Sequence, residues 1–350
     1  MNEKEISQRK KTILSLVVDH FIETGNSIGS SELIYRNKMK WSSATVRKEF
    51  NSLMNLGFLS QNHISSGRYP TEKGINFYIK NILNIDDLSN MSLTFLEDEC
   101  GKLDGTLDYV INETGNILSD FTHLTSLATL PTRNTLRIRS AKLLNITKKN
   151  YLLMLVYEGG LAERTFIKFE KELAEMQVNR ISNYLNELTL GLTIEEVKKI
   201  LLDKINKIKN EYDGFLEKVL RISFELFEKK KKTDILVNGK RSLFKFLDVK
   251  DTKFYKNILE VLEEQDLLSK LLESVVEDSS TKVFVGSQNG IPEGLSLVAA
   301  PYNKGNSYGT LGVFGPTRMN YSQIIPIVSY TARVVTRLVN GGENDEYRRR

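Results

Sequence analysis

The residues best placed to do chemistry lie in one short run. Ser42, Ser43, Thr45, Arg47, Lys48 and Asn51 bring hydroxyls, a guanidinium, an ammonium and an amide into ten positions. At helical spacing Ala44, Val46, Phe50, Leu53 and Leu56 gather on one side, while Thr45, Arg47, Lys48 and Asn51 fall largely on the other, near the N-terminal end. Hydroxyls and a basic pair leading an amphipathic helix suit hydrogen bonding to phosphates and base edges, the layout of a recognition helix in a DNA groove. Arg47 is the candidate for guanine readout, because a guanidinium fork matches the O6/N7 edge. A second set follows at His63, Ser65, Ser66, Gly67, Arg68 and Tyr69, a polar loop that would touch backbone or minor groove, with Gly67 permitting a tight turn.

Such residues need a frame, and the flanking sequence predicts one. Ile13, Leu14, Leu16, Val17, Val18, Phe21 and Ile22 form a helical stripe within 7–24, ended by Gly25. A turn at 26–30 precedes a shorter helix at 31–40 carrying Leu33, Ile34 and Met39. After the recognition helix come a strand-like Phe58-Leu59, the polar loop, and Pro70-Thr71 opening a helix through Leu83. Helix, helix, recognition helix, wing, helix is the order of a winged helix-turn-helix, expected over 1–83.

Residues 1–83 hold 12 Lys+Arg and 7 Asp+Glu; subtraction from the chain totals of 49 and 44 leaves 37 of each for 84–350. The whole positive excess therefore sits on the first quarter, as attraction to a phosphate backbone would favour, although many small domains that bind no nucleic acid are equally basic.

Composition narrows the other classes. At 350 residues, with 40% apolar and 27% charged side chains, the chain is expected to form two or three domains. No apolar run approaches the roughly 20 residues a membrane span needs, the first residues lack a secretory apolar region, and the single cysteine, Cys100, suits a reducing compartment. A cytoplasmic protein is expected. The three histidines, His20, His63 and His123, lie far apart, no zinc spacing occurs, and carboxylates alternate with lysines along helices. Neither catalysis nor a cofactor or metal is expected.

Gly25-Asn26-Ser27-Ile28-Gly29-Ser30, Ser42-Ser43-Ala44-Thr45-Val46-Arg47 and His63-Ile64-Ser65-Ser66-Gly67-Arg68-Tyr69-Pro70-Thr71-Glu72-Lys73-Gly74 resemble the HrcA family of bacterial heat-inducible transcription repressors. The resemblance returns in Ser296-Leu297-Val298-Ala299-Ala300-Pro301-Tyr302 and from Gly309 to Tyr321. Lys48, Ser66 and Ser27 stand where that family usually has Asn, Ala and Pro, so Lys48 trades an amide for a phosphate-seeking charge. The resemblance implies a homodimeric repressor of chaperone operons that binds inverted-repeat double-stranded DNA and depends on the GroEL chaperonin. It also implies a GAF-like domain interrupted by an inserted dimerisation domain.

Periodicity in the rest of the chain shows an interruption. Strand signals at 136–147, 151–157 and 161–169 and a helix at 171–190 give way to helical patterns at 193–208, 212–227 and 253–276, with one short strand at 234–239. Strand signals resume at 281–285, 295–300 and 309–314, before a final helix from Tyr321 to about Val339. The expected class is multidomain α+β: winged module 1–83, linker 84–104, GAF-like antiparallel α/β domain at 105–191 and 279–340 with one shared sheet, helical insert 192–278, and tail 341–350. Lys229-Lys230-Lys231-Lys232 reads as a solvated helix end or a second basic patch. Around Gly309–Arg318 the sequence fits a hairpin end leading into a helix, or a loop in which Arg318 holds an anion. A small molecule gating the GAF-like domain is the alternative mode of regulation.

Overall fold

A computed structural model describes residues 6–63, 66–85, 87–131, 135–169, 171–208, 235–241, 265–287 and 290–340. The expected helix at 212–227 and the Lys229–Lys232 run lie outside these residues.

The first helix, α1 (Gln8–Thr24), starts where Ser7 Oγ accepts from the Lys10 N–H and stops at Gly25, whose left-handed φ of 72° lets its N–H donate to the Phe21 carbonyl. Next come α2 (Ser30–Asn37) and α3 (Ser43–Asn55), then a minimal antiparallel hairpin of β1 (Leu59–Ser60) and β2 (Tyr69–Pro70), and α4 (Glu72–Asn81). Ile13, Leu14, Val17, Leu33, Val46, Phe50, Leu53, Phe58 and Phe77 bury one core between them. Ala44 is exposed, so the buried stripe of α3 is Val46, Phe50 and Leu53.

The expected linker is largely structured. Within it α5 (Asn90–Gly101) buries Leu96 and Cys100, and Leu96 joins the core of the following domain. The apolar residues of α5, Met91, Leu93, Phe95, Leu96 and Cys100, do not recur at a clean helical interval, which leaves little periodicity to detect. Then α6 (Leu107–Thr122) leads into β3 (Thr125–Thr129).

Here the sheet assignment must be corrected. The meander β4 (Ile138–Thr147), β5 (Asn150–Tyr157) and β6 (Ala162–Lys168) forms its own three-stranded sheet. One face packs on α7 (Glu175–Thr189) and α8 (Ile194–Ile208) around Tyr151, Tyr157, Val178, Ile181, Leu185 and Val197. A different, fully antiparallel sheet runs in the order β7-β3-β10-β9-β8, from β7 (Ile235–Asn238), β8 (Lys282–Val285), β9 (Leu295–Lys304) and β10 (Ser307–Pro316). Its faces are covered by α6 and α10 (Tyr321–Val339) on one side and by α9 (Gln265–Glu277) on the other.

Residues 105–190 and 280–340 therefore do not share one sheet; only β3 of the earlier stretch joins it. The expected helical insert is equally revised, since β7 and α9 belong to the larger domain and the separate unit begins with the β4–β6 meander. The chain leaves the large sheet at Thr129 and returns at Ile235, the residue paired with it. Thr-Ser-Leu-Ala-Thr is buried on both faces of β3, so it shows neither alternation nor a strong apolar run. The result is a mixed α+β chain of helices and antiparallel sheets.

Candidate nucleic-acid interface

Why α3 begins where it does is visible at its first residue. Ser42 is the N-cap, its Oγ accepting from the Thr45 N–H at 3.2 Å and lying 2.9 Å from Thr45 Oγ1. Ser43 Oγ lies 2.9 Å from the buried Ser30 Oγ and 3.4 Å from Ser31 Oγ, so it ties α3 to α2. Two of the expected contact hydroxyls thus already hold the local fold.

Arg47, Lys48 and Asn51 are exposed, and Thr45 is partly so. Arg47 is oriented rather than loose, because its Nε donates to Ser30 Oγ at 3.2 Å. The sequence places Ser30 at the end of the Gly25–Ser30 run without giving it a role; that role comes from α2 meeting α3, which local pattern does not encode. The acid on this helix, Glu49, is turned toward α1, with Lys10 at 3.3 Å and Arg9 at 3.8 Å. The Arg9 guanidinium also lies 5.4 Å from the centre of the Trp41 ring. The outward face of α3 is left with its cations.

The hairpin loop is organised by Ser66. Its N–H and Oγ both donate to the His63 carbonyl, at 2.9 and 2.6 Å, and its Oγ accepts from the His63 N–H at 2.9 Å. His63 is exposed and Tyr69 half-buried on β2, whereas Ser65 lies outside the described residues. Arg68 folds back on its own module. Its backbone pairs with Ile28, its Nε meets Met54 Sδ at 3.0 Å, and its Nη1 donates to the Ser66 carbonyl at 2.6 Å. The expected reason for Gly67 is revised. A Cβ there would stand 2.7–2.9 Å from backbone atoms of Ser27 and Ile28, so close strand approach excludes a side chain.

The structure therefore sets Thr45, Arg47, Lys48 and Asn51 along α3, the last three of them exposed. It places His63, Ser66, Gly67, Arg68 and Tyr69 in the adjoining hairpin. Elsewhere the chemistry is sparse: among the described residues no group of three or more His, Cys, Asp or Glu is arranged to hold a metal ion, and no helix is long and apolar enough to cross a membrane. Burial pushes the Cys100 thiol up to about 11, away from the reactive thiolate. Tyr302, wholly buried and donating to the Thr129 carbonyl at 2.6 Å, is likewise raised well above the usual phenol range.

Fold and surface together are those of an α+β regulator, without a catalytic constellation among the described residues. The chain belongs to the HrcA family: the family model described as HrcA protein C terminal domain matches residues 108–325. Over 340 residues it is 29% identical to the heat-inducible transcription repressor HrcA of Geobacter sulfurreducens, covering 96% of this chain and 99% of that one. The repressor of the same name from Thermodesulfovibrio yellowstonii is 29% identical over 349 residues, covering 97% and 100%. These relatives are named as repressors, not as enzymes. A crystal structure of a hypothetical protein at 2.2 Å resolution has the same fold, with a TM-score of 0.59 at 23% identity, and covers 97% of this chain and all of that one.

Proposed function

We propose that the chain is a sequence-specific, heat-inducible transcription repressor that binds double-stranded DNA through α3 and the β1–β2 hairpin. The observation that carries this reading is the division of α3. Val46, Phe50 and Leu53 are buried, and Glu49 is drawn inward by Lys10 and Arg9, while Arg47, Lys48 and Asn51 remain exposed. A helix so divided fits the major groove, with the hairpin as a wing against the neighbouring backbone. Ser42 and Ser43 would meet phosphates at the helix N-terminus, where the backbone dipole also favours an anion. His63, Ser65, Ser66 and Tyr69 would lie along the wing, with Gly67 holding it close and Arg68 stiffening it.

One such module reads few base pairs, so pairing two on an inverted repeat is the economical route to genomic specificity. We place the dimerising surface on the insert. Leu144, Leu152 and Phe166 stand in register across the open face of the β4–β6 sheet, with Leu144 41% and Phe166 73% exposed. The five-stranded antiparallel sheet between helices supports the GAF-like reading of the larger domain. Support by the GroEL chaperonin rests on family membership, and would couple repression to the chaperonin left free by unfolded clients. Chaperone operons are the targets this implies, and the cytoplasm is the setting.

The test is fluorescence anisotropy on an inverted-repeat duplex and on one with scrambled arms, over a salt series. Preference for the intact repeat of roughly a thousandfold is expected of a specific binder. Equal, steeply salt-dependent binding to both, with chaperonin present, would reject the operator reading.

A further inference from the structure

Although the module holding α3 is joined to the rest of the chain by sequence at residue 83, its firmest attachments are made far from there. Glu72, in the first turn of α4, reaches the loop between β8 and β9. Its Oε2 accepts from both the N–H and the Oγ of Ser287 at 3.0 Å, and its Oε1 accepts from the Gly294 N–H at 3.0 Å. The Gly294 carbonyl in turn accepts from the Thr317 N–H at 2.8 Å. The next residue, Arg318, lies against the end of α1, where a Cβ on Gly25 would stand 2.3 Å from its Nη1. Gly286 is pressed equally closely, since a Cβ there would fall about 2 Å from the Glu72 carboxylate. Asn76 adds a hydrogen bond to the Val285 carbonyl at 3.3 Å, and Ile75 is buried in the core of the larger domain.

We infer that Glu72 and Arg318 are positioning residues that fix the angle of the DNA-reading module on the larger domain. Apolar contact through Ile75 is non-directional and would tolerate rotation. A carboxylate using both oxygens on two separate backbone groups does not, because charge-assisted bonds of this kind are strong and geometrically specific. Arg318 supplies a second point on a different helix, beside the negative end of α1. Two points on two helices remove every rotation except that about the line joining them, which the Asn76 hydrogen bond and the packing of Ile75 resist. In a dimer that angle sets the separation of the two recognition helices, and hence the half-site spacing accepted. This last consequence rests on the operator reading above.

The experiment measures angle and spacing separately. Spin labels are placed at two exposed sites, Tyr35→Cys on α2 and Tyr109→Cys on α6, in a Cys100→Ser background. Labelled chain is diluted with unlabelled chain so that intrachain distances are read. One narrow distribution is expected with Glu72 and Arg318 intact, and a broad one with Glu72→Ala or Arg318→Ala; the isosteric Glu72→Gln, which retains a single acceptor, should lie between. The same proteins are titrated with inverted repeats whose spacer differs by one or two base pairs. A wild-type preference for one spacer of roughly tenfold should fall to within about twofold in Glu72→Ala, with discrimination against scrambled arms retained. An unchanged distance distribution overturns the latch, and a broadened one with spacer preference intact overturns its role in positioning. A wild-type protein indifferent to scrambled arms at every spacer would instead sink the operator reading, leaving the distances to judge the latch.

Discussion

Arg47 Nε donates across the helix–helix contact to Ser30 Oγ at 3.2 Å, and that same oxygen lies 2.9 Å from Ser43 Oγ. Two helices thus fix where the Arg47 guanidinium stands, and on the proposed reading that position presents its fork to the groove. The geometry makes Ser30 a support for Arg47. Arg47→Ala should cost about 1–3 kcal/mol on the intact operator and relax base preference at one position of each half-site. Ser30→Ala should give a weaker version of the same pattern. Both are read by competition with single-base operator variants, and a loss of affinity equal on all sequences would refute the assignment.

Lys48 carries a point charge on the exposed side of α3 and should act on phosphate alone. Lys48→Ala is expected to weaken specific and random DNA alike and to lower the slope of log affinity against log salt by about 0.9 for each duplex phosphate it leaves without a protein cation. A variant that changes base preference but not salt slope would reverse the roles of Lys48 and Arg47.

The two glycines flanking Ile28 and its bridge partner make a controlled pair. Gly67→Ala forces a Cβ against Ser27 and Ile28 backbone, whereas a Cβ on Gly29 meets nothing within 4 Å. Overpacking of this kind costs about 1–3 kcal/mol, so Gly67→Ala should lower the unfolding midpoint of the module and weaken DNA binding. Gly29→Ala should cost less than Gly67→Ala, only what an alanine costs at the N-cap of α2, and leave DNA binding closer to wild type. Equal effects would show that the hairpin gives way where the structure has it packed.

Cys100 provides a pH signature. Its thiol pKa is raised by burial from 9.0 to about 11, so the folded protein holds the proton more tightly than the unfolded chain does. That contribution to stability is fully present below pH 9 and is lost as pH rises toward 11. Urea midpoints should fall more between about pH 8 and about pH 10.5 in wild type than in Cys100→Ser. Alkylation at about pH 8 should be slow until denaturant is added.

Much of the N-terminal module was legible because its signals are local. Ser7, Ser42 and Thr71 cap helices as their residue types predict, and Gly25 stops α1. Arg47, Lys48 and Asn51 were readable from spacing as facing outward, whereas Ala44, assigned to the apolar side, is exposed beside them. What escaped was set by distant pairing. Ser30 and Glu72 matter through partners that no window of sequence contains, the latter more than two hundred positions away. The sheet was misassigned for a related reason. β4, β5 and β6 carry strong strand signals and drew attention from β3, whose Thr-Ser-Leu-Ala-Thr is small and hydroxylated and is buried on both faces.

The opposition of Thr129 to Ile235 has one more consequence. The chain leaves and rejoins the sheet through neighbouring ends, so β3 and β7 are the two arms of a hairpin, and between them the elements from β4 to α8 bury a core of their own. Because closure cost grows only with the logarithm of loop length, the large sheet tolerates so long a detour for little more than a modest loop would cost. A two-residue Asn-Gly turn spliced between Thr129 and Ile235 would restore the ordinary hairpin with its register unchanged. The insert thus enters and leaves the large sheet at a single residue pair, and its excision is expected to leave the pairing of that sheet unchanged.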